Sequence, residues 1–114
     1  MMDCIFCKII KKEVTAQIVF ESEFVTAFND INPHAPLHFL IIPNIHIATL
    51  NDAKPEHSKF LSEILLAANV LATQNNVLEN SYRLVFNTNK LACQSVFHIH
   101  AHFLANRAFK WPPG

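Results

Sequence analysis

Three histidines at alternate positions, His98, His100 and His102, are the residues of this sequence best suited to chemistry. On a strand, residues two apart point to the same face, roughly 6.6 Å apart. Three imidazoles would then form a row, while Ile99, Ala101 and Phe103 face the other way. A helix would splay the same rings around its axis, and the apolar alternates favour the strand. Imidazole has a pKa of about 6.5, so one ring can attack phosphorus while a neighbour supplies a proton or hydrogen bond. His-x-His pairs also bind zinc, so the row by itself leaves a metal site open. A chance surface cluster is the bland alternative.

A second constellation is Cys4-Ile5-Phe6-Cys7. Tetrahedral zinc needs four ligands, and Cys93 stands alone, so the second pair is not cysteine; His46 with one histidine of the row is one candidate pair. A redox dithiol and a pair of ordinary core thiols remain alternatives. The absence of a βαβ context counts against the redox reading.

The elements that must carry these residues follow from pattern. Residues 4–12 hold the cysteine pair and about one helical turn. Residues 17–21 and 24–29 read as a hairpin around Ser22-Glu23. A proline-bearing loop (residues 30–36) leads to a third strand, His38 to Ile42, closed by Pro43. Apolar residues at 60, 61, 64, 65, 67, 68, 71 and 72 predict one long helix within residues 55–76, with one broad face for a sheet. Pro55 suits its first turn, although Lys54 is a poor cap. Residues 82–87 and 98–105 complete five strands. The expected class is α+β: an antiparallel sheet with one long helix and a short N-terminal one.

Composition narrows the function classes. The 114 residues suit one domain, and 51% apolar against 16% charged residues supports one real core. Nine basic and nine acidic residues cancel, so neither nucleic acid nor an anionic membrane is the expected partner. The apolar runs are too short to span a bilayer, and Met-Met-Asp-Cys carries no leader pattern. Three cysteines without a secreted-type framework favour the cytoplasm. Average usage predicts about eight glycines. The only one is Gly114, so no turn inside the fold can use glycine for positive φ; asparagine is the next most tolerant residue, with Asn89 and Asn106 the candidates.

The residues from His98 to Phe103 fit the pattern of the histidine triad family. Gln94-Ser95-Val96-Phe97 before them and Trp111-Pro112-Pro113-Gly114 after them resemble its nucleotide-binding, purine nucleoside phosphoramidase branch. The similarity continues through Cys4 to Ile10, Ala27 to Ile31, Pro33 to Pro36 and His38 to Pro43, in register over nearly the whole chain. The resemblance implies a single domain over residues 1–114, paired into a homodimer with a continuous sheet. It implies hydrolysis of purine nucleoside 5′-phosphoramidates and related nucleotidyl derivatives through a nucleotidyl-histidine intermediate. His100 matches the nucleophile, His102 the neighbour that contacts the phosphate and assists the leaving group, and His38 a supporting histidine. Ser95 and Asn87 match polar contacts to the phosphate and leaving group, and Cys93 and Gln94 lie in the same loop. Asp30, after Asn29, matches the acceptor of the ribose diol. Ile5, Phe6, Phe28 and Ile31 match the walls around the base, and Trp111 belongs to the matching tail. Cys4, Cys7, His46 and His98 match the ligands of a structural zinc; no organic cofactor is implied.

The family's loop before the triad is glycine-rich, and those glycines let the backbone approach the phosphate. Here Asn89, Ala92 and Cys93 stand at glycine positions, and Ala105-Asn106 replaces a glycine pair after the triad. The expectation is therefore an active enzyme that is slower or differently selective. The alternative is a nucleotide-binding or scaffolding dimer with vestigial catalysis.

Overall fold

The computed structural model describes residues 3–114; Met1 and Met2, which head the segment read as lacking a leader, lie outside the described residues. The elements run α1 (Ile5–Ile10), β1 (Ile18–Glu21), β2 (Val25–Asn29), β3 (Leu37–Pro43), α2 (Ser58–Gln74), β4 (Tyr82–Phe86) and β5 (Ala101–Ala105). The strands form one antiparallel sheet in the order β1-β2-β3-β5-β4. Among the described residues no helix is long and apolar enough to cross a membrane.

β3 is the central strand, and it reads as a continuous apolar run because both of its faces are covered. Pairing sorts its side chains. Phe39 and Ile41 face the same way as Ala27, Phe103 and Ala101, and α2 packs there through Ile64, Ala67, Ala68, Leu71 and Ala72. His38, Leu40 and Ile42 face the other way, where α1 closes a second cluster through Cys4, Phe6 and Ile9. Each face thus has its own core, and the histidines belong to the α1 side.

Local chemistry accounts for the turns. Ser22 Oγ accepts from the amides of Phe24 and Val25, which closes the β1–β2 hairpin without glycine. The start of α2 is a 3₁₀ turn, Pro55–His57, and the His57 ring accepts the Lys54 amide at 3.0 Å. The Lys54 side chain makes no capping bond, and this bond instead ties the Lys54 amide to the first turn. Asn89 and Asn106 both adopt φ 69°, as their turns require.

Two expectations change. The apolar face of α2 is narrower than its pattern, because Leu65 is 57% exposed. β5 begins at Ala101 rather than His98. Ile99 N–H bonds to the Ile47 carbonyl, so residues 98–100 follow the 46–48 segment instead of the β3 ladder.

Phe103 is fully buried between the sheet and α2, stacked on Tyr82 and against Phe39. Phe103→Ala should lower unfolding free energy by about 3–5 kcal/mol in urea denaturation. Leu78→Ala, at a site 54% exposed, should change it by less than about 0.5 kcal/mol.

Candidate active site and metal centre

The hydrogen-bond partner of each histidine decides which ring nitrogen carries the proton, since a carbonyl can only accept. His100 Nδ1 lies 2.8 Å from the carbonyl of His98, so Nδ1 donates and Nε2 keeps its lone pair. His98 Nε2 lies 2.9 Å from the carbonyl of Pro43, so its free lone pair is on Nδ1. His38 shows the opposite case. The amide of His34 donates to its Nδ1 at 3.0 Å, which puts the proton on Nε2. That Nε2–H reaches His102 Nδ1 at 2.9 Å, with Asp30 Oδ2 at 3.4 Å beside it. His102 therefore carries its own proton on Nε2. His100 and His102 lie 5.0 Å apart, centre to centre. One presents a lone pair and the other an N–H.

Burial keeps these rings neutral. Desolvation presses His102 down to about 4, helped by His100 and His38, and lowers His38 and His100 as well. Phe6 packs edge-on against both His98 and His100, at 5.8 and 5.2 Å. It thereby shields the pair from water.

Cys4, Cys7, His46 and His98 bring their ligand atoms together within 4.8 Å. Cys4 Sγ is 3.4 Å from His98 Nδ1, and Cys7 Sγ is 3.6 Å from His98 Nδ1 and 3.5 Å from His46 Nδ1. Ordinary zinc bond lengths and tetrahedral angles set sulfur and nitrogen ligands about 3.6 Å apart. Cys4 also caps α1 by accepting the Cys7 amide at 3.4 Å, so the knuckle is built into the helix start. The donor set and spacing therefore fit zinc. The group Asp30, His38 and His102 fits a cation less well, because a direct hydrogen bond already joins the two facing imidazole nitrogens.

A cavity of about 420 Å³ opens beside His102, lined also by Asp30, His38, Asn87, Cys93 and Ser95. A second, of about 600 Å³, lies next to the cysteine knuckle and shares Ser95 with the first. The family model described as "Scavenger mRNA decapping enzyme C-term binding" matches residues 3–110. The purine nucleoside phosphoramidase of Escherichia coli K12 is 47% identical over 105 residues, covering 92% of this chain and 88% of that protein. The 14 kDa zinc-binding protein of Zea mays is 48% identical over 112 residues, 96% of this chain and 87% of that one. The crystal structure of a HIT family hydrolase from Legionella pneumophila superposes with a TM-score of 0.95 at 49% identity, over 98% of this chain and all of that one. This chain belongs to the histidine triad family.

Within the triad, His98 points into the cysteine knuckle, His102 lines the cavity, and His100 is buried 5.0 Å from His102 without lining it. The row is thus divided between two sites. Other residues expected around the triad sit differently. Phe6 and Phe28 are core, packed edge-on at 5.4 Å, so they line neither cavity and can only back the wall. Asn29 pairs with Phe39 and so lies on the α2 face, away from His38, where it bonds Gln17. Gln94 is buried and bonded to backbone, which leaves it no side chain to offer a ligand. Ile5 lines the second cavity, whereas Ile31 and Trp111 project into solvent at 101% and 82% exposure. Asp30 Oδ1 accepts the Asn32 amide at 2.8 Å, so the turn uses one of its oxygens and Oδ2 faces His38.

The sequence reading missed His34 and Arg107. Both line the first cavity, and Arg107 Nε holds the His34 carbonyl at 2.8 Å. His34 acts through its backbone amide, which leaves no mark in residue type. Arg107 stands five residues past His102 and was legible only as one of two arginines.

The lowered histidines have a consequence for stability. Between a folded pKa held below 6.5 and the unfolded value, the unfolded chain binds more protons, so stability rises with pH. The contribution of His38 and His102 is full above about pH 6.5 and is lost as pH falls towards 4. The urea midpoint should fall steadily over that range. His38→Gln/His102→Gln should fall less steeply, and an unchanged slope would contradict neutral burial.

Proposed function

We propose that this chain hydrolyses purine nucleoside 5′-phosphoramidates and related nucleotidyl derivatives, releasing the nucleoside monophosphate. The carrying observation is the bond from His100 Nδ1–H to the His98 carbonyl, which keeps the Nε2 lone pair available for attack. In the reaction, His100 Nε2 bonds to phosphorus and the phosphorus–nitrogen bond of the substrate breaks. The anionic phosphoryl group favours a proton on His102 Nδ1, whereupon the His38 Nε2–H turns to Asp30 Oδ2, 3.4 Å away, and the Nε2 proton of His102 passes to the departing amine. Water then attacks phosphorus, gives its proton to His102, and the bond to His100 breaks. His38 keeps His102 in the required tautomer, and Ser95, Asn87 and Cys93 border the reacting phosphate. The E. coli relative's name supports the substrate class.

Asp30, through Oδ2, is the proposed acceptor of the ribose diol, and Ile5, Phe6 and Phe28 form the base-side wall. Cys4, Cys7, His46 and His98 are the proposed holders of a structural zinc, which would tie α1 to the triad. It takes no part in the reaction steps. The zinc-binding protein of Zea mays supports this assignment. A homodimer is supported by exposed Leu65 and Leu66 on α2 and by the unpaired edge of β4. Such a partner could also cover Ile31 and Trp111. Three free cysteines fit a reducing, cytoplasmic setting, and residues 1–114 are read as one domain.

Positive φ at Asn89 and Cys93 favours one competing reading, a nucleotide-binding dimer with weak catalysis. Acid-quenched turnover of adenosine 5′-phosphoramidate, read by mass spectrometry, separates the two. Hydrolysis predicts a nucleotidyl adduct on His100 and a loss on the order of 10⁴ or more in kcat for His100→Ala. Wild-type turnover surviving that substitution would sink the nucleophile assignment. For the metal, chelation or Cys4→Ser should release about one zinc per chain and lower Tm, by metal analysis and thermal scanning.

A further inference from the structure

The loop between β4 and β5 buries a side chain that the reaction does not use. Gln94 is 6% exposed. Its Oε1 accepts the Asn89 amide at 2.8 Å, and its Nε2 donates to the carbonyls of Ala48 and Val96 at 2.8 and 3.1 Å. The Gln94 amide in turn donates to the Asn89 carbonyl at 3.1 Å. Two reciprocal bonds therefore clasp the loop across its 3₁₀ turn, Lys90–Ala92.

What they clasp is strained. Asn89 has φ 69° and ψ −177°, a conformation held almost only by glycine. Its own side chain makes no capping bond. Cys93, at the far end of the turn, is left-handed at φ 68°. Without glycine, something outside these residues must hold the path. Gln94 has the anchors to do so. Ala48 belongs to the 46–48 segment, whose Ile47 carbonyl also takes the Ile99 amide on the way to His100. One rigid segment therefore supports both the loop and the approach to the triad.

We propose that Gln94 is a positioning residue. From its anchor on Ala48 it holds Asn89 at positive φ and so keeps the glycine-free 89–95 loop, with Cys93 and Ser95, against the phosphate. This deepens the hydrolase reading and rests on it only for the last clause. Gln94 meets no substrate; it acts through the backbone of Asn89.

Three variants test it. Gln94→Met keeps the volume and removes the three side-chain bonds, leaving the backbone bond to the Asn89 carbonyl. Gln94→Glu keeps an acceptor for the Asn89 amide and loses the donor to the Ala48 and Val96 carbonyls. Gln94→Met/Asn89→Gly adds a residue that holds positive φ without help. Amide exchange at Asn89, read by NMR on the resting protein, should accelerate at least about tenfold in Gln94→Met and less in Gln94→Glu. Turnover of adenosine 5′-phosphoramidate should fall about 10–100-fold in Gln94→Met, the usual range for a supporting contact. The double variant should recover several-fold of that loss while Tm stays low, a coupling that simple core damage would not produce. Unchanged exchange at Asn89, or equal losses in the single and double variants, would overturn the proposal. Wild-type protein inactive on the phosphoramidate would instead sink the functional reading, and exchange at Asn89 would still decide whether Gln94 holds the loop.

Discussion

The site depends on backbone carbonyls that can accept but never donate. The His98 carbonyl sets the proton of His100, and the Pro43 carbonyl sets that of His98. Two adjacent histidines thereby receive opposite orientations. His98 turns Nδ1 to the cysteine pair, and the Nε2 of His100 keeps its lone pair. A third ring, His38, is set by the His34 amide and passes its orientation to His102. Side chains whose protons would otherwise sit on either nitrogen become a lone pair, a ligand and a donor. Pro43 has a further part in this. It closes β3, and its carbonyl takes the His98 ring instead of a ladder amide.

Much of this arrangement was legible in the sequence. The strands, the helix and the apolar alternation came through because period and burial agree along β3 and β5. The Cys-x-x-Cys pair was legible as spacing, while its approach to His46 and His98 shows only in the fold. What was not legible are contacts made by backbone. The amide of His34 carries no signature of residue type. Asn29 and Gln94 looked like ligand contacts because they adjoin functional residues in sequence, but strand alternation turns Asn29 to the other face. Burial gives Gln94 to the carbonyls of Ala48 and Val96. Three histidines spaced for one strand were also read as one row. The departure of residues 98–100 towards Ile47 could not be foreseen from alternation.

The shortage of glycine shows how a fold keeps a path when its natural residue is missing. Asn89, Cys93 and Asn106 take up positive φ, and each such residue costs of order 1–3 kcal/mol unless its surroundings over-determine it. Around Asn89 the surroundings are a buried amide and the segment it grips. The same segment carries His46. The cysteine–histidine cluster and the loop beside the triad therefore share one piece of backbone.

Pairing across the central strands has a consequence for how this protein can change. In β2, β3 and β5 the even-numbered side chains, such as Phe28, His38 and His102, look towards α1 and the cavity. The odd-numbered ones, such as Ala27, Ile41 and Phe103, look towards α2. Parity along the chain thus divides two selective pressures. Odd positions can drift with the packing of a helix and leave the chemistry alone. Even positions can be retuned for a new leaving group while the main core stays intact. A single-residue insertion within β3 would exchange the two faces for every β3 residue beyond it.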